Sequence, residues 1–137
     1  MALGDLICEY TGKITSMKVL PFDDDGQEVR YEVTQVVRLN GRISGGGFGS
    51  NYVRQAADGT SVTKFYGVFT TTEGHSIRAE FGGNALSLGP DRARFRTTGM
   101  LKTTALSLDW LNSTTIAFEG EGDFSTMDVI GKLYVWS

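Results

Sequence analysis

The sequence predicts an all-β chain folded as a single closed antiparallel barrel of roughly eight strands. Three observations predict it. Apolar and polar residues alternate with a period of two along most of the chain, and no long stretch keeps a helical period. Glycine is abundant at 18 residues while proline is scarce at 2, which suits short strands joined by tight turns and bulges better than a disordered linker. A flat sheet of this size would expose its edges, and closing it on itself removes them.

The elements follow in order. Residues 6–19 form the first expected strand, with Leu6, Cys8, Tyr10 and Ile14 on one parity against Glu9, Thr11 and Lys13, and with Gly12 marking a bend or bulge. Residues 21–26, where Asp23, Asp24 and Asp25 precede Gly26, cannot continue a buried strand and read as a turn. The clearest strand is 29–39: Val29, Tyr31, Val33, Gln35, Val37 and Leu39 share the buried face. The run Gly45-Gly46-Gly47-Phe48-Gly49 interrupts the pairing as a bulged turn at a barrel corner, and residues 51–56 return as a strand ending at Asp58-Gly59. Residues 60–71 and 75–81 make a hairpin around Glu73-Gly74. Residues 84–91, with Gly89-Pro90, read as a loop. Residues 92–103 place Ala93, Phe95 and Thr97 opposite Arg92, Arg94 and Arg96. Strands over 107–118 and 127–136 complete the set, separated by an acidic, glycine-rich bend at 119–123.

Composition bounds the class of protein. A chain of 137 residues makes one domain, 1–137, and can bury a core without disulfides or a structural metal. Apolar residues at 40% and charged residues at 21% argue against disorder. A net charge of −3 offers no concentrated basic surface, so nucleic acid is not an expected partner. A single cysteine, Cys8, allows no internal disulfide and suits a reducing, cytoplasmic setting. Residues 1–5 carry no basic leader and nowhere do about 18 apolar residues run together, so neither a signal peptide nor a membrane helix is expected.

No motif dictates a reaction. One histidine and one cysteine cannot assemble the usual zinc sets, and no metal or cofactor is expected. The acidic groups at 23–25 and 119–123 lack the spacing of a calcium loop and read as solvated turns. The glycine run lacks the Lys-Ser/Thr and the following helix of a phosphate loop. No Gly-x-Ser-x-Gly occurs. Cys8 reads as a small core residue. His75, following a turn, is placed near a barrel mouth, where it acts as a general acid or base or is a strand-end histidine without that role.

The stronger signal is polar side chains on apolar faces. Tyr31 and Gln35 lie among valines. Lys64 and Tyr66 share parity with Val62 and Val68. Trp110 and Asn112 share parity with Leu108. A few polar groups in an apolar cavity are what a small-molecule site looks like; the alternative is that they satisfy one another. Arg92, Arg94 and Arg96 form a basic stripe on the outer face, solvated or touching an anion or a subunit.

Taken as a set, Gly45-Gly46-Gly47, Tyr66, Thr72-Glu73-Gly74 with Ile77 and Gly82-Gly83, Phe95-Arg96-Thr97 and Trp110-Leu111-Asn112 resemble a family of small uncharacterised microbial proteins grouped with the allene oxide cyclase-like barrels. The resemblance covers roughly residues 41 to 136; the segment 84–91 is shorter than the family's usual insert. It implies an antiparallel barrel with an internal cavity, often in a dimer or trimer, with cyclases among its wider relatives. It would also give Arg96 an anionic ligand, whereas residue parity faces Arg96 outward. The expected function is therefore a barrel that binds a small apolar or amphipathic organic molecule and steers its cyclisation or isomerisation. A non-catalytic carrier or sensor and an oligomeric partner-binding module are the alternatives.

Overall fold

The structure, a computed structural model, describes residues 3–21 and 25–137. Met1 and Ala2 of the N-terminus, and Phe22, Asp23 and Asp24 of the expected acidic turn, lie outside the described residues.

Eight strands follow one another in an up-and-down meander: β1 (Leu3–Val19), β2 (Val29–Gly41), β3 (Gly45–Gln55), β4 (Thr60–Thr71), β5 (Ser76–Gly89), β6 (Arg92–Lys102), β7 (Ile116–Asp123) and β8 (Asp128–Trp136). Every neighbouring pair is antiparallel, and β8 pairs with β1, so the sheet closes with no edge. Local chemistry explains the tight returns. At β3–β4 the Asp58 carboxylate accepts hydrogen bonds from the Thr60 backbone N–H (3.0 Å) and hydroxyl (2.6 Å), and Gly59 takes the positive φ of 87° that the turn requires. At β7–β8 Asp123 does the same for Ser125. No helix among the described residues is long and apolar enough to cross a membrane.

The structure corrects several expected boundaries. The glycine run 45–49 is not a turn: it lies inside β3, paired without a register break to β2 and β4. Residues 84–89 extend β5, leaving a minimal turn at Pro90 and Asp91, and residues 119–123 belong to β7. Residues 107–113 are not strand. They form the 3₁₀ helix Leu106–Ser113, broken at Leu108. In β1 the bulges fall beside Leu6 and between Ile14 and Ser16, not at Gly12. The first turns Ile7 and Cys8 both inward and leaves Leu6 exposed.

The corrections at the glycine-rich segments 45–49 and 119–123 have a common cause. The barrel is narrow and its inner face is filled by aromatic rings, so many inward positions facing those rings have no room for a side chain. A Cβ on Gly49 would stand 2.4 Å from the Phe65 ring, and one on Gly131 2.6 Å from the Phe118 ring. Glycine, usually a sign of chain reversal, here lets large side chains cross the lumen.

The two ends of the barrel differ. At one end Ile7, Ile77, Leu101 and Ile116 are fully buried around Leu111, which the 3₁₀ helix inserts like a plug. Asn112 staples that helix to the barrel: its side chain accepts from the Thr103 N–H and donates to the Thr103 carbonyl, both at 2.9 Å. At the opposite end no helix crosses the barrel among the described residues, and Phe124 and Met127 of the β7–β8 turn pack against the core.

Candidate functional site

The inner faces of the strands enclose a cavity of about 40 Å³. Its wall is a cage of Phe65, Phe69, Phe81, Phe95 and Phe118 interrupted by polar groups from Tyr10, Gln35, Asn51, Thr63 and Thr97. The Tyr10 hydroxyl donates to Gln35 Oε1 at 2.8 Å, and its ring meets Phe118 edge-on at 5.0 Å. Among the described residues, Gln35 Nε2, the Asn51 side-chain amide and the Thr63 and Thr97 hydroxyls have no hydrogen-bond partner in the protein. Gln35 and Thr63 are 2% and 1% exposed. Buried polar groups are normally satisfied, so this cluster calls for a partner other than the chain itself.

Toward the opposite end the described residues border a vestibule of about 290 Å³, lined by Tyr31, Ser61, Ala85, Ala93, Phe95 and Phe124 among others. Phe95 lines both spaces, so its ring is the partition between vestibule and lumen. The sizes decide what fits. A water needs about 10–15 Å³ of such space, and a drug-sized ligand about 300–1,000 Å³. The lumen therefore admits a head group, and the vestibule a small molecular body.

Electrostatically the interior is neutral. Burial pushes the Tyr10 and Tyr31 phenols up from 10.0, and it pushes the Cys8 thiol from an ordinary 9.0 up to about 12. Two expected results follow. Cys8 in the native protein resists an aromatic disulfide reagent at pH 8 and reacts once the chain is unfolded. Above pH 9 the unfolded thiol loses a proton that the folded state keeps to about 12, so the unfolded chain binds fewer protons and stability falls across that window. The thermal midpoint should drop from pH 9 to 12, and less steeply in Cys8→Ala. Equal slopes would show that Cys8 does not titrate differently in the two states.

Of the residues singled out from sequence, Gln35 lies in the lumen and Tyr31 at the vestibule. The others stand apart. Lys64 and Tyr66 were expected on the cavity face, but they are exposed with Val62 and Val68 on the outside, and Ser61, Thr63, Phe65 and Phe69 face in. β4 misleads because its outer face is the more aliphatic one near Val62 and Val68. Trp110 lies on the 3₁₀ helix, its ring 4.3 Å from the Arg42 guanidinium, and Asn112 is the helix staple. His75 sits in the β4–β5 turn, at the barrel end that the 3₁₀ helix covers, with Nε2 3.9 Å from Glu73 Oε2, and does not line the cavity. Arg96 faces outward, 4.0 Å from Glu119, and Arg92 and Arg94 pair with Glu121 across β6 and β7. Among the described residues no three His, Cys, Asp or Glu side chains group as metal ligands.

Tyr10, Asn51, Thr63, Thr97 and Phe95 carry the site, and sequence reasoning did not select them as such. Thr97 and Phe95 were on the correct parity of β6. Thr63 was recoverable from its two-residue spacing to Phe65.

The architecture defines a class: a closed eight-stranded antiparallel barrel. Solved structures share its fold. A protein of unknown function from Clostridium acetobutylicum superimposes with a TM-score of 0.84 at 16% identity, over 97% of this chain and 98% of that one. A β-barrel-like protein from Acinetobacter baumannii gives 0.82 at 15% identity, over 98% and 94%. An enzyme from Penicillium herquei gives 0.70 at 13% identity, over 99% and 97%. At these identities the likeness is one of fold. No protein-family model matches the chain, and no curated protein matches it.

Proposed function

We propose that the barrel binds a small, largely apolar organic molecule through its open end, with the body in the vestibule and a polar head passing Phe95 into the lumen. The carrying observation is the set of buried polar groups, headed by Gln35 Nε2 and the Thr63 hydroxyl, that have no hydrogen-bond partner in the described chain and belong to residues lining an aromatic cavity. With no charged side chain on the lumen wall and its one phenol, Tyr10, held neutral, the chemistry we propose there is of the kind that shape and hydrogen bonding promote: cyclisation or isomerisation of a confined, reactive conformer. The allene oxide cyclase-like resemblance and the enzyme from Penicillium herquei support the catalytic form of this reading. A carrier would use the same cavity, and recovery of the bound compound unchanged after incubation would assign it that role.

The neutral fluorophore N-phenyl-1-naphthylamine tests the site. It should bind with enhanced emission at one site per chain, and Ala93→Trp, which fills the vestibule, should abolish the enhancement while leaving the thermal midpoint within a few degrees. No enhancement with the unaltered protein, or full enhancement in Ala93→Trp, would overturn the reading.

A separate observation favours self-association. On the outer wall Val36, Phe48 and Val68 form one cross-strand row, and Phe48 is 64% exposed. The adjoining rows continue into Tyr66 and Met100, flanked by Arg78 and Lys102 on one side and by Glu32 and Glu80 elsewhere on the same face. We infer that a second copy of this chain covers this row, because a face carrying both charge signs can set its cations on a copy's carboxylates. Sedimentation velocity at micromolar concentration should give a dimer, and Phe48→Lys a monomer. A monomeric parent protein refutes it.

A further inference from the structure

The orientation of Gln35 specifies the chemistry of the ligand's head group, an inference that rests on the ligand site proposed above. Tyr10 is buried and keeps its proton, which must be donated somewhere; the acceptor found among the described residues is Gln35 Oε1. That contact fixes which end of the carboxamide is which. Gly12 makes room for it there: a side chain at position 12 would begin 2.2 Å from Oε1 and the carboxamide would have to move away. With Oε1 engaged, Nε2 presents its two N–H donors to the cavity, and no described residue accepts from them.

A fixed donor without an acceptor recognises oxygen. The Thr63 and Thr97 hydroxyls, which rotate, line the same cavity and are further donors to an oxygen placed there. The rest of the wall is phenylalanine and aliphatic, and no cationic side chain lines the lumen. An anionic head would be buried unpaired, which is far more costly than burying a neutral dipole. We propose that the lumen selects an uncharged carbonyl oxygen, as in a ketone, aldehyde, enone or ester, and rejects both the carboxylate and the hydrocarbon of the same shape.

Three probes of one shape test this. Acetophenone carries the carbonyl, α-methylstyrene replaces its oxygen with a methylene group, and benzoate replaces the methyl ketone with a carboxylate. Titration followed by NMR of the unaltered protein should give acetophenone about tenfold tighter binding than α-methylstyrene, the ratio that one buried neutral hydrogen bond supports. Benzoate should bind more weakly than either. In Gln35→Leu the ketone preference should shrink toward unity while α-methylstyrene binding is kept. The comparison in the unaltered protein stands even where that variant fails to fold. Equal affinity for acetophenone and α-methylstyrene overturns the selection for oxygen and leaves a purely apolar ligand site. Binding of none of the three overturns the ligand site itself and this inference with it. Tighter binding of benzoate overturns the preference for an uncharged head.

Discussion

Gly99→Ala is expected to destabilise the barrel by about 3 kcal/mol, enough to lower the thermal midpoint by roughly 10 °C or more. Gly99 faces inward on β6, opposite Phe81 on β5. A Cβ there would sit 2.0 Å from the Glu80 carbonyl oxygen and 2.7 Å from the Phe81 Cα. These are main-chain atoms, so no rotamer change relieves the clash; β5 and β6 must part. Gly82→Ala is the matched control. Its Cβ would point outward, with its nearest neighbours the Thr63 carbonyl oxygen at 3.7 Å and the Lys64 stem at 4.0 Å. That change should stay within about 0.5 kcal/mol. Thermal or urea unfolding of the pair decides the matter: similar losses in both would mean that the inward glycines are not spacers for the aromatic rings.

Leu111→Ala is expected to cost about 2–5 kcal/mol, the range for deleting a fully enclosed leucine. Leu111 is 0% exposed and is the buried residue of the 3₁₀ helix, while Leu106 on the same helix is 90% exposed. Leu106→Ala should change stability by less than about 0.5 kcal/mol. The plug also predicts where the loss appears. Backbone amides near Ile7, Ile77 and Ile116 should exchange faster with deuterium in Leu111→Ala, and those around Tyr31 should not. Uniform acceleration would mean that the helix does not act as a local seal.

The fold was legible because most strands bury one face and expose the other. Val33, Gln35, Val37 and Leu39 alternate with Val36 and Arg38 as the pattern demands, and closure follows from the number of strands and the lack of helical periodicity. What failed was punctuation. Glycine at 47, 49 and 122 resembles a turn in one dimension, but in three it makes space for a ring on the neighbouring strand, and that neighbour is invisible until the register is known. The segment 107–113 reads as a strand because Leu108, Trp110 and Asn112 alternate, yet its role is to fold across an open barrel end. The site was half legible for a similar reason. Gln35 stood out as a polar residue among valines. Thr63 did not, because threonine is ordinary in any strand and its isolation depends on a lumen too narrow to give it a partner. Lys64 and Tyr66 drew attention through Val62 and Val68, an aliphatic set that faces outward.

The sealed end of the barrel makes the interior a blind alley. On the ligand-binding reading proposed above, whatever enters past Phe95 would have to back out by the same door, so arrival and departure would compete for a single passage. A bound molecule would then have to vacate before its successor arrived, and any product resembling its precursor would obstruct its own replacement. Turnover or exchange in such a chamber would be governed by how often the phenylalanine swings aside, and widening that doorway should hasten traffic in both directions alike.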